Sequence, residues 1–399
     1  MPWPPAPPDP IPFGVQGGKH MVVPVRFARA VDYDPNSSAN TTRYAEFDTP
    51  ELDTRGYEMG TRPSGWSSTD ARGPMLGLMR GADAVKVRVV REMIAPGAPL
   101  RIVSTNPAIV EIASQLDGDD HFTCRGLDGE GDAPKIQVRL GADDGPVLAE
   151  LEPHVFSKLR VPLTIHNVRL DGAAGTGTAP SLTRLDAILA RVNKIWRPCG
   201  IEFGPINRVA AENHTLPSNR TDTFDDNDPT WSADMVSILG LQRTRLGIAA
   251  GTNDRTINIY VIRQFALADT LGYGISRDTA TSIGSDTGIV VKTQGINGSA
   301  PDEEDCARTI AHEIGHFLRV PHVENRNSGN AVRYSYGLWQ LMWPSSFVPV
   351  GSAWKNFGNG RKGGRVYNGH LVTLKNLNHH STDGECQTAR NSIRAGNWM

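Results

Sequence analysis

The amino-acid sequence predicts an α+β protein in which a β-sandwich domain precedes a domain that mixes strands with amphipathic helices. Short alternating strands separated by turn signals fill the chain up to about residue 157. A helical period of apolar residues then covers 182–196, and a second one follows an acidic run at residue 302. The change of period places the domain boundary at 157/158, with a proline-rich segment, residues 1–19, in front of the first domain.

Composition and charge narrow the class of protein. The chain has 399 residues, of which 39% are hydrophobic and 21% charged, so it can bury two or three domain cores. Its net charge is −2 and it has no long basic run, which argues against nucleic acid as the main partner. We find neither a run of about 18 apolar residues nor a Sec signal peptide, so we expect no membrane span and, for an exported protein, a non-Sec route.

The first domain, residues 20–157, consists of short strand signals. AVKVRVVREM alternates, with Val85, Val87 and Val89 on one face. LRIVSTNPAIVEIA predicts two strands around a turn at Asn106-Pro107, and KIQVRL alternates again. Residues 34–83 are rich in Gly, Ser, Thr, Asp and Pro and are predicted to be long loops. Short strands with regular turns favour a β-sandwich.

The second domain, residues 158–399, begins with the strand VPLTIHNVRL. An amphipathic helix follows, and the run Pro198-Cys199-Gly200 ends it. Residues 211–234 are predicted to be a loop, and TINIYVIRQF and TGIVVKTQ are predicted strands. The residues expected to share the buried face of the helix are Leu182, Leu185, Ile188, Leu189, Val192 and Trp196.

The acidic run Asp225-Asp226-Asn227-Asp228 lies in the predicted loop. Its oxygen atoms are of the kind that bind calcium, so Ca²⁺ is one expectation for this run. A solvated loop is the alternative.

Four cysteines are present and none forms a C-x-x-C pair, which argues against a cysteine zinc site. A disulfide within the C-terminal half is an open expectation, and Cys306–Cys386 is the first pair to test.

The segment HEIGHFLRVPH, from His312 to His322, predicts a metal site. His312 and His316 are four residues apart, so both imidazoles project from one face of a helix and can reach one zinc ion at about 2.0–2.1 Å. Glu313 stands beside them, where this motif places a general base. Val320-Pro321 cannot easily continue a helix, and a bend there can bring His322 to the same ion as a third ligand.

With this ligand spacing, the sequence resembles the metzincin clan of zinc metallopeptidases, and its matrixin-like members in particular. The motif H-E-x-x-H-x-x-G-x-x-H matches at His312, Glu313, His316 and His322, and GLWQLMWPSS resembles the methionine turn, with Met342 below the metal. The resemblance covers roughly residues 160–399. It implies a twisted mixed sheet, an active-site helix, one catalytic Zn²⁺, and an edge strand, LGYGIS, that binds an extended peptide.

One position departs from the family. Arg319 stands where the family has glycine, and an arginine in the left-handed region costs on the order of 1 kcal/mol. Two outcomes are open. The backbone adopts the left-handed conformation all the same, which we favour because His322 keeps its spacing, or the chain turns differently and Glu324 becomes the nearest alternative ligand.

The stretch LRIVSTNPAIVEIA, FTCRGLDGEG and KIQVRL resembles bacterial immunoglobulin-like domains. Together, the two resemblances imply a zinc metalloendopeptidase, a hydrolase acting on protein or peptide substrates, with an Ig-like accessory domain. A bacterial secreted effector or toxin is one expectation for its biology. The alternative is a non-catalytic binding or adhesion protein with a structural zinc site. The sequence leaves the substrate and the oligomeric state open.

Overall fold

The structure is a computed structural model that describes residues 24–29, 75–91, 93–128, 134–172, 175–226, 231–247, 256–267, 270–276, 286–292, 303–320 and 385–396. These residues form mostly sheet with few helices, which agrees with the predicted α+β class. The chain divides into two units. The first unit contains the described residues up to Lys158, together with Lys194–Ile201 and residues 385–387. The second unit contains the other described residues.

The first unit contains two four-stranded sheets around one hydrophobic core. One sheet has the order β1-β3-β6-β5 and the other the order β2-β8-β7-β4. Every pair is antiparallel except β2 with β8, which is parallel. Buried side chains from both sheets form the same core, including Phe27, Val87, Phe122, Ile102 and Leu151. The strands are β1 (Val25–Arg29), β2 (Met75–Met79), β3 (Val85–Arg91), β4 (Leu100–Ser104), β5 (Val110–Ser114), β6 (His121–Gly126), β7 (Ile136–Leu140) and β8 (Val147–Phe156).

The alternation that predicted β3 is confirmed. Val87 and Val89 are fully buried and Val85 packs against the same core. The turn predicted at Asn106 is also present, because the Asn106 carbonyl accepts hydrogen bonds from the N–H groups of Ile109 and Val110. The turn changes sheets, since β4 pairs with β7 whereas β5 pairs with β6.

Strand β2 corrects the prediction that residues 34–83 are loops. It lies in the sequence GPMLGLMRG, whose glycines and proline hid its strand character. Gly77 is needed within it, because an ideal Cβ there would lie 2.2 Å from the carbonyl oxygen of Pro198. Glycine in a strand interior marks such a close approach of two backbones.

Five of the later strands build a sheet of order β10-β9-β12-β15-β14, and β11 and β13 form a separate two-stranded sheet. Strand β12 pairs in parallel with both β9 and β15, and β14 is antiparallel to β15. The elements are β9 (Leu159–Leu170), α1 (Leu185–Trp196), a 3₁₀ turn (Arg197–Cys199), β10 (Ile201–His214), β11 (Thr223–Phe224), α2 (Trp231–Leu239), α3 (Leu241–Leu246), β12 (Ile257–Ile262), β13 (Gln264–Phe265), β14 (Gly272–Ile275), β15 (Gly288–Lys292), α4 (Glu303–Phe317) and α5 (Glu385–Arg394).

The central strands of this sheet are covered on both faces. Every residue of β12 and β15 is buried, which is the pattern of strands packed between two layers. On one face, Tyr260 and Val290 join Met235 and Leu239 of α2 in a single core. Helix α4 packs against β14 and β15.

The helices differ in two places from the prediction. Helix α1 begins at Leu185, three residues later than expected, and its 3₁₀ turn ends at Gly200 with φ 69°, as the Pro-Cys-Gly run predicted. Helix α2 starts at Trp231 inside the predicted loop 211–234, because an element of nine residues is too short to show a clear helical period. Among the described helices, none has the length and apolar character needed to cross a bilayer.

The expected Cys306–Cys386 disulfide is wrong. Cys199 is disulfide-bonded, whereas Cys306 and Cys124 carry thiols. Burial raises the pKa of the Cys124 thiol to about 12. A disulfide requires the two Cα atoms to lie within about 7 Å of each other, and sequence position alone does not reveal that distance.

In the second unit, burial favours the neutral form of two histidine side chains. His166 is fully buried, stacks on Tyr260 at 4.5 Å between ring centroids, and places Nε2 3.1 Å from Asn258 Oδ1. His214 Nε2 lies 3.0 Å from Ser237 Oγ. Burial is the main cause that lowers the pKa of both rings, and the nearby charge of Glu212 only partly opposes it.

Mild acid is therefore expected to destabilise the second unit. The unfolded chain binds protons near the ordinary histidine pKa of about 6.5, while the folded rings resist protonation, so stability falls as the pH drops below that value. Each histidine can contribute up to about 1.4 kcal/mol for each unit by which its pKa is lowered. Urea unfolding at about pH 7 and 5.5 should show the loss, and His166→Gln should reduce it. Equal pH dependence in both proteins would contradict the assignment.

Candidate metal centre

Helix α4 forms because its charge and its apolar stripe both favour a helix at this place. The helix begins at Glu303, within one residue of the expected start near Asp302, in a stretch whose sequence is acidic and so favours a helix N-terminus. The stripe is buried as predicted. Its members are Ala307, Ile310, Ala311, Ile314, Phe317 and Leu318, and all are at most 2% exposed.

The first two predicted ligands lie side by side on this helix. The ring centroids of His312 and His316 are 4.7 Å apart and their planes are perpendicular. His316 Nδ1 lies 3.1 Å from the carbonyl oxygen of Val320. When Nδ1 donates to that oxygen, Nε2 carries the lone pair that a metal binds, which is the usual arrangement of metal-binding histidines.

The end of α4 settles how the chain leaves the helix. Arg319 has φ 65°, so it adopts the left-handed conformation that we favoured. Its N–H donates to the His316 carbonyl at 2.9 Å, and the Val320 N–H donates to the Gly315 carbonyl at 2.8 Å. These two bonds form a Schellman cap, in which Val320 is fully buried. The same cap presents the Val320 carbonyl to His316.

Because Arg319 has a positive φ, two substitutions at this position should differ in their effect on the free energy of unfolding. Arg319→Gly is expected to keep the cap and to change the free energy of unfolding by less than about 1 kcal/mol, because glycine enters the left-handed region without strain. Arg319→Val should cost more, since a β-branched residue at positive φ is a conformational outlier. Chemical unfolding of the two variants measures the difference. Equal stabilities would show that the turn changes its conformation.

His322, Met342 and the alternative ligand Glu324 lie outside the described residues. The third ligand and the methionine turn therefore stay predictions.

Glu313 is buried between the helix and strand β14. Only 7% of it is exposed, and this burial raises the pKa of its carboxyl to about 8. The backbone N–H of Gly274 donates a hydrogen bond to the carboxylate, which works in the opposite direction. Glu313 thus packs against strand β14, one residue after His312 in the helix.

Two glycines allow this contact between helix and strand. A Cβ on Gly274 would lie 2.3 Å from the Glu313 carbonyl oxygen and 3.0 Å from His316 Cβ. A Cβ on Gly272 would lie 2.9 Å from Glu313 Cγ. Because neither residue has a side chain, α4 rests directly on the backbone of β14.

Strand β14 directs the Gly274 N–H away from β15, the strand with which it pairs. The Lys292 N–H bonds the Leu271 carbonyl at 3.2 Å, which makes residues 271, 273 and 275 the ones that bond to β15. The intervening Gly272 and Gly274 direct their N–H groups to the other side. Of the strands that the structure describes, β14 is paired on that side with none.

The carboxylate of Asp226 anchors β14 through contacts that the sequence did not predict. Asp226 Oδ2 accepts hydrogen bonds from the hydroxyls of Thr270 at 2.5 Å and Tyr273 at 3.0 Å, and Oδ1 accepts one from the Leu267 N–H at 2.9 Å. Burial and the charge of Asp226 raise the pKa of Tyr273 to about 12, so its hydroxyl stays a donor. An aromatic residue between two glycines, in LGYGIS, was the only sequence signal.

These contacts bear on the calcium expectation. Both oxygens of Asp226 accept hydrogen bonds, and Asp225 pairs with Arg220 at 2.7 Å. Asn227 and Asp228 lie outside the described residues, so calcium remains a prediction. Another acidic group, Asp117 with Asp119 and His121, has its ligand atoms within 4.8 Å of one another. The Asp117 carboxylate there accepts the N–H groups of the other two residues, which is how an aspartate stabilises a turn.

No protein-family model, no curated protein and no solved structure matches this chain. The interpretation of the site depends on the residues of this chain alone.

Proposed function

We propose that the protein is a zinc-dependent endopeptidase whose active centre lies on helix α4 beside strand β14. One observation carries the proposal: two imidazoles one helical turn apart, with a buried carboxylate from the intervening turn held by the neighbouring strand. A helix that carries histidines for packing alone has no need of a buried acid between them, because burying a carboxyl costs free energy.

The residues present suit a zinc ion. His312 and His316 would supply two nitrogen ligands, and the Val320 carbonyl orients the second of these rings. The proposal includes His322 as the third ligand and Met342 as the methionine-turn residue, as in metzincins. Three neutral histidine ligands leave one position for a water or a substrate. A bound zinc would supply Lewis acidity, which makes water acidic and polarises a carbonyl group.

Glu313 supplies the acid–base chemistry in this proposal. Its carboxylate removes a proton from the attacking water and then returns the proton to the leaving nitrogen of the cleaved peptide bond. Its burial keeps bulk water away from the proton that it carries between the two steps. The Gly274 N–H holds the carboxylate at strand β14.

Other features support the metzincin-like class for residues 158–399. The sheet is mixed, and its antiparallel strand β14 contacts the histidine helix. The left-handed turn at Arg319 gives this chain the backbone conformation that the family obtains with glycine. For residues 20–157, two sheets around one core support a β-sandwich accessory domain of the Ig-like kind.

Metal analysis combined with casein digestion tests the proposal. We expect about one zinc per chain in protein purified without chelators, digestion of casein, loss of digestion on chelation, and recovery when zinc is added back. Protein that contains no zinc would end the proposal. Zinc-containing protein that digests neither casein nor a peptide library would favour the alternative, a binding protein with a structural zinc site.

A further inference from the structure

The segment that leads into β14 is held by a single carboxylate. Asp226 accepts hydrogen bonds from Leu267, Thr270 and Tyr273, three donors spread over seven residues of chain. Each hydroxyl that bonds to an ionised acceptor makes a stronger bond than a neutral pair does. The position of Tyr273, the second residue of β14, therefore depends directly on Asp226.

Asp226 is itself held in place by a two-stranded sheet, in which β11 precedes Asp226 in the chain and β13 follows it. Strand β11 pairs in parallel with β13, and the Ala266 N–H donates to the Phe224 carbonyl at 2.8 Å. Phe265 makes edge-to-face contacts with Phe224, at 5.6 Å between centroids, and with Tyr273, at 5.5 Å. The ring of Tyr273 thus contacts Phe265 while its hydroxyl bonds Asp226.

We propose that Asp226 is a positioning residue for Glu313: through Tyr273 it fixes the next peptide of β14, whose Gly274 N–H holds the Glu313 carboxylate. The inference depends on the proposed peptidase function. Asp226 acts through the strand and touches neither substrate nor metal ligands in this scheme. Without it, Leu267, Thr270 and Tyr273 each lose a hydrogen bond, and the Gly274 N–H can move away from Glu313.

The position of Glu313 matters because proton transfer needs a heavy-atom distance of about 2.6–3.2 Å. A displacement of about 1 Å can lower a catalytic rate by about 100-fold. The binding of an extended substrate involves many more contacts, so it should respond less. Loss of Asp226 should therefore reduce kcat far more than it changes KM.

The test compares four variants of the full chain loaded with zinc. Asp226→Ala removes all three acceptor contacts. Asp226→Asn keeps one carbonyl oxygen and offers an amide to hydroxyls, which can turn to accept it. Tyr273→Phe removes one bond only. Asp225→Asn is the matched control, because the neighbouring Asp225 pairs with Arg220 at 2.7 Å.

Three readouts are needed: zinc content, kcat and KM on a fluorescent peptide substrate, and amide hydrogen exchange. We expect Asp226→Ala to retain zinc, to lower kcat about 10- to 100-fold with KM within about three-fold, and to speed exchange in the peptide covering 270–276. Exchange in β9 and β12 should not change. Asp226→Asn should recover much of kcat, Tyr273→Phe should lose about three- to ten-fold, and Asp225→Asn should equal the wild type.

Several results would overturn the inference. An Asp226→Ala protein with wild-type kcat and unchanged exchange at 270–276 would do so. So would a loss of kcat that is matched by faster exchange throughout the sheet, because that result indicates general destabilisation. If Asp226→Ala does not fold, Tyr273→Phe decides, and wild-type kcat in that variant refutes the inference. A wild type that digests nothing refutes the proposed function instead, which separates the two failures.

Discussion

Glu313→Ala is expected to lose casein digestion while keeping its zinc. A positioned general base contributes about 10²- to 10⁴-fold to a rate, so kcat should fall by that factor. Zinc content should stay near one per chain, because the proposed ligands are the histidines and not Glu313. Metal analysis and a digestion assay on the same sample measure both quantities.

Glu313→Gln separates the proposed acid–base role of this side chain from its hydrogen bond with Gly274. Glutamine keeps the shape and can still accept the Gly274 N–H, but it cannot take up a proton near neutral pH. We expect it to be as inactive as the alanine variant, with hydrogen exchange at Gly274 close to the wild type. Digestion at the wild-type rate by either variant would remove Glu313 from the mechanism.

Gly274→Ala is expected to damage both the stability of the second unit and its activity. The added Cβ would meet a backbone oxygen at 2.3 Å, so strand and helix must move apart by roughly 0.7 Å or more to reach the 3.0 Å that real Cβ atoms tolerate. Overpacking of this kind costs about 1–3 kcal/mol. Movement of Glu313 by that amount should lower kcat by up to about 100-fold.

Two other glycines provide graded controls for this substitution. Gly272→Ala meets the Glu313 side chain at 2.9 Å, and a side chain can adjust, so its effect should be smaller. Gly118→Ala meets nothing within 4 Å and should change stability by less than about 0.5 kcal/mol. Urea unfolding and the digestion assay rank the three variants. Equal effects at positions 272 and 274 would contradict the backbone contact.

The local features of the site were predictable because they depend on neighbours in sequence. The start of α4, its buried stripe and the shared face of His312 and His316 all follow from helical spacing. The left-handed conformation of Arg319 followed from the position of the third histidine in the motif, even though the residue type argued against it.

The contacts that support the site depend on residues far apart in sequence and could not be predicted. Gly274 and Glu313 are 39 positions apart, and Asp226 and Tyr273 are 47 apart. Two glycines in a strand carry no hydrophobic signal, and an acidic run does not reveal which of its members becomes a hydrogen-bond acceptor. Strand β2 escaped prediction in the same way, since the partner that requires Gly77 lies more than a hundred residues later.

The face of β14 that meets α4 has one further consequence. Because only peptide atoms form that face, the gap between strand and helix is already as narrow as any amino acid allows. Substitution at positions 272 and 274 can act in one direction only, by widening the gap. No substitution at these two positions can bring the strand closer to the helix. We therefore expect positions 272 and 274 to tolerate substitution far less than positions in an exposed strand do.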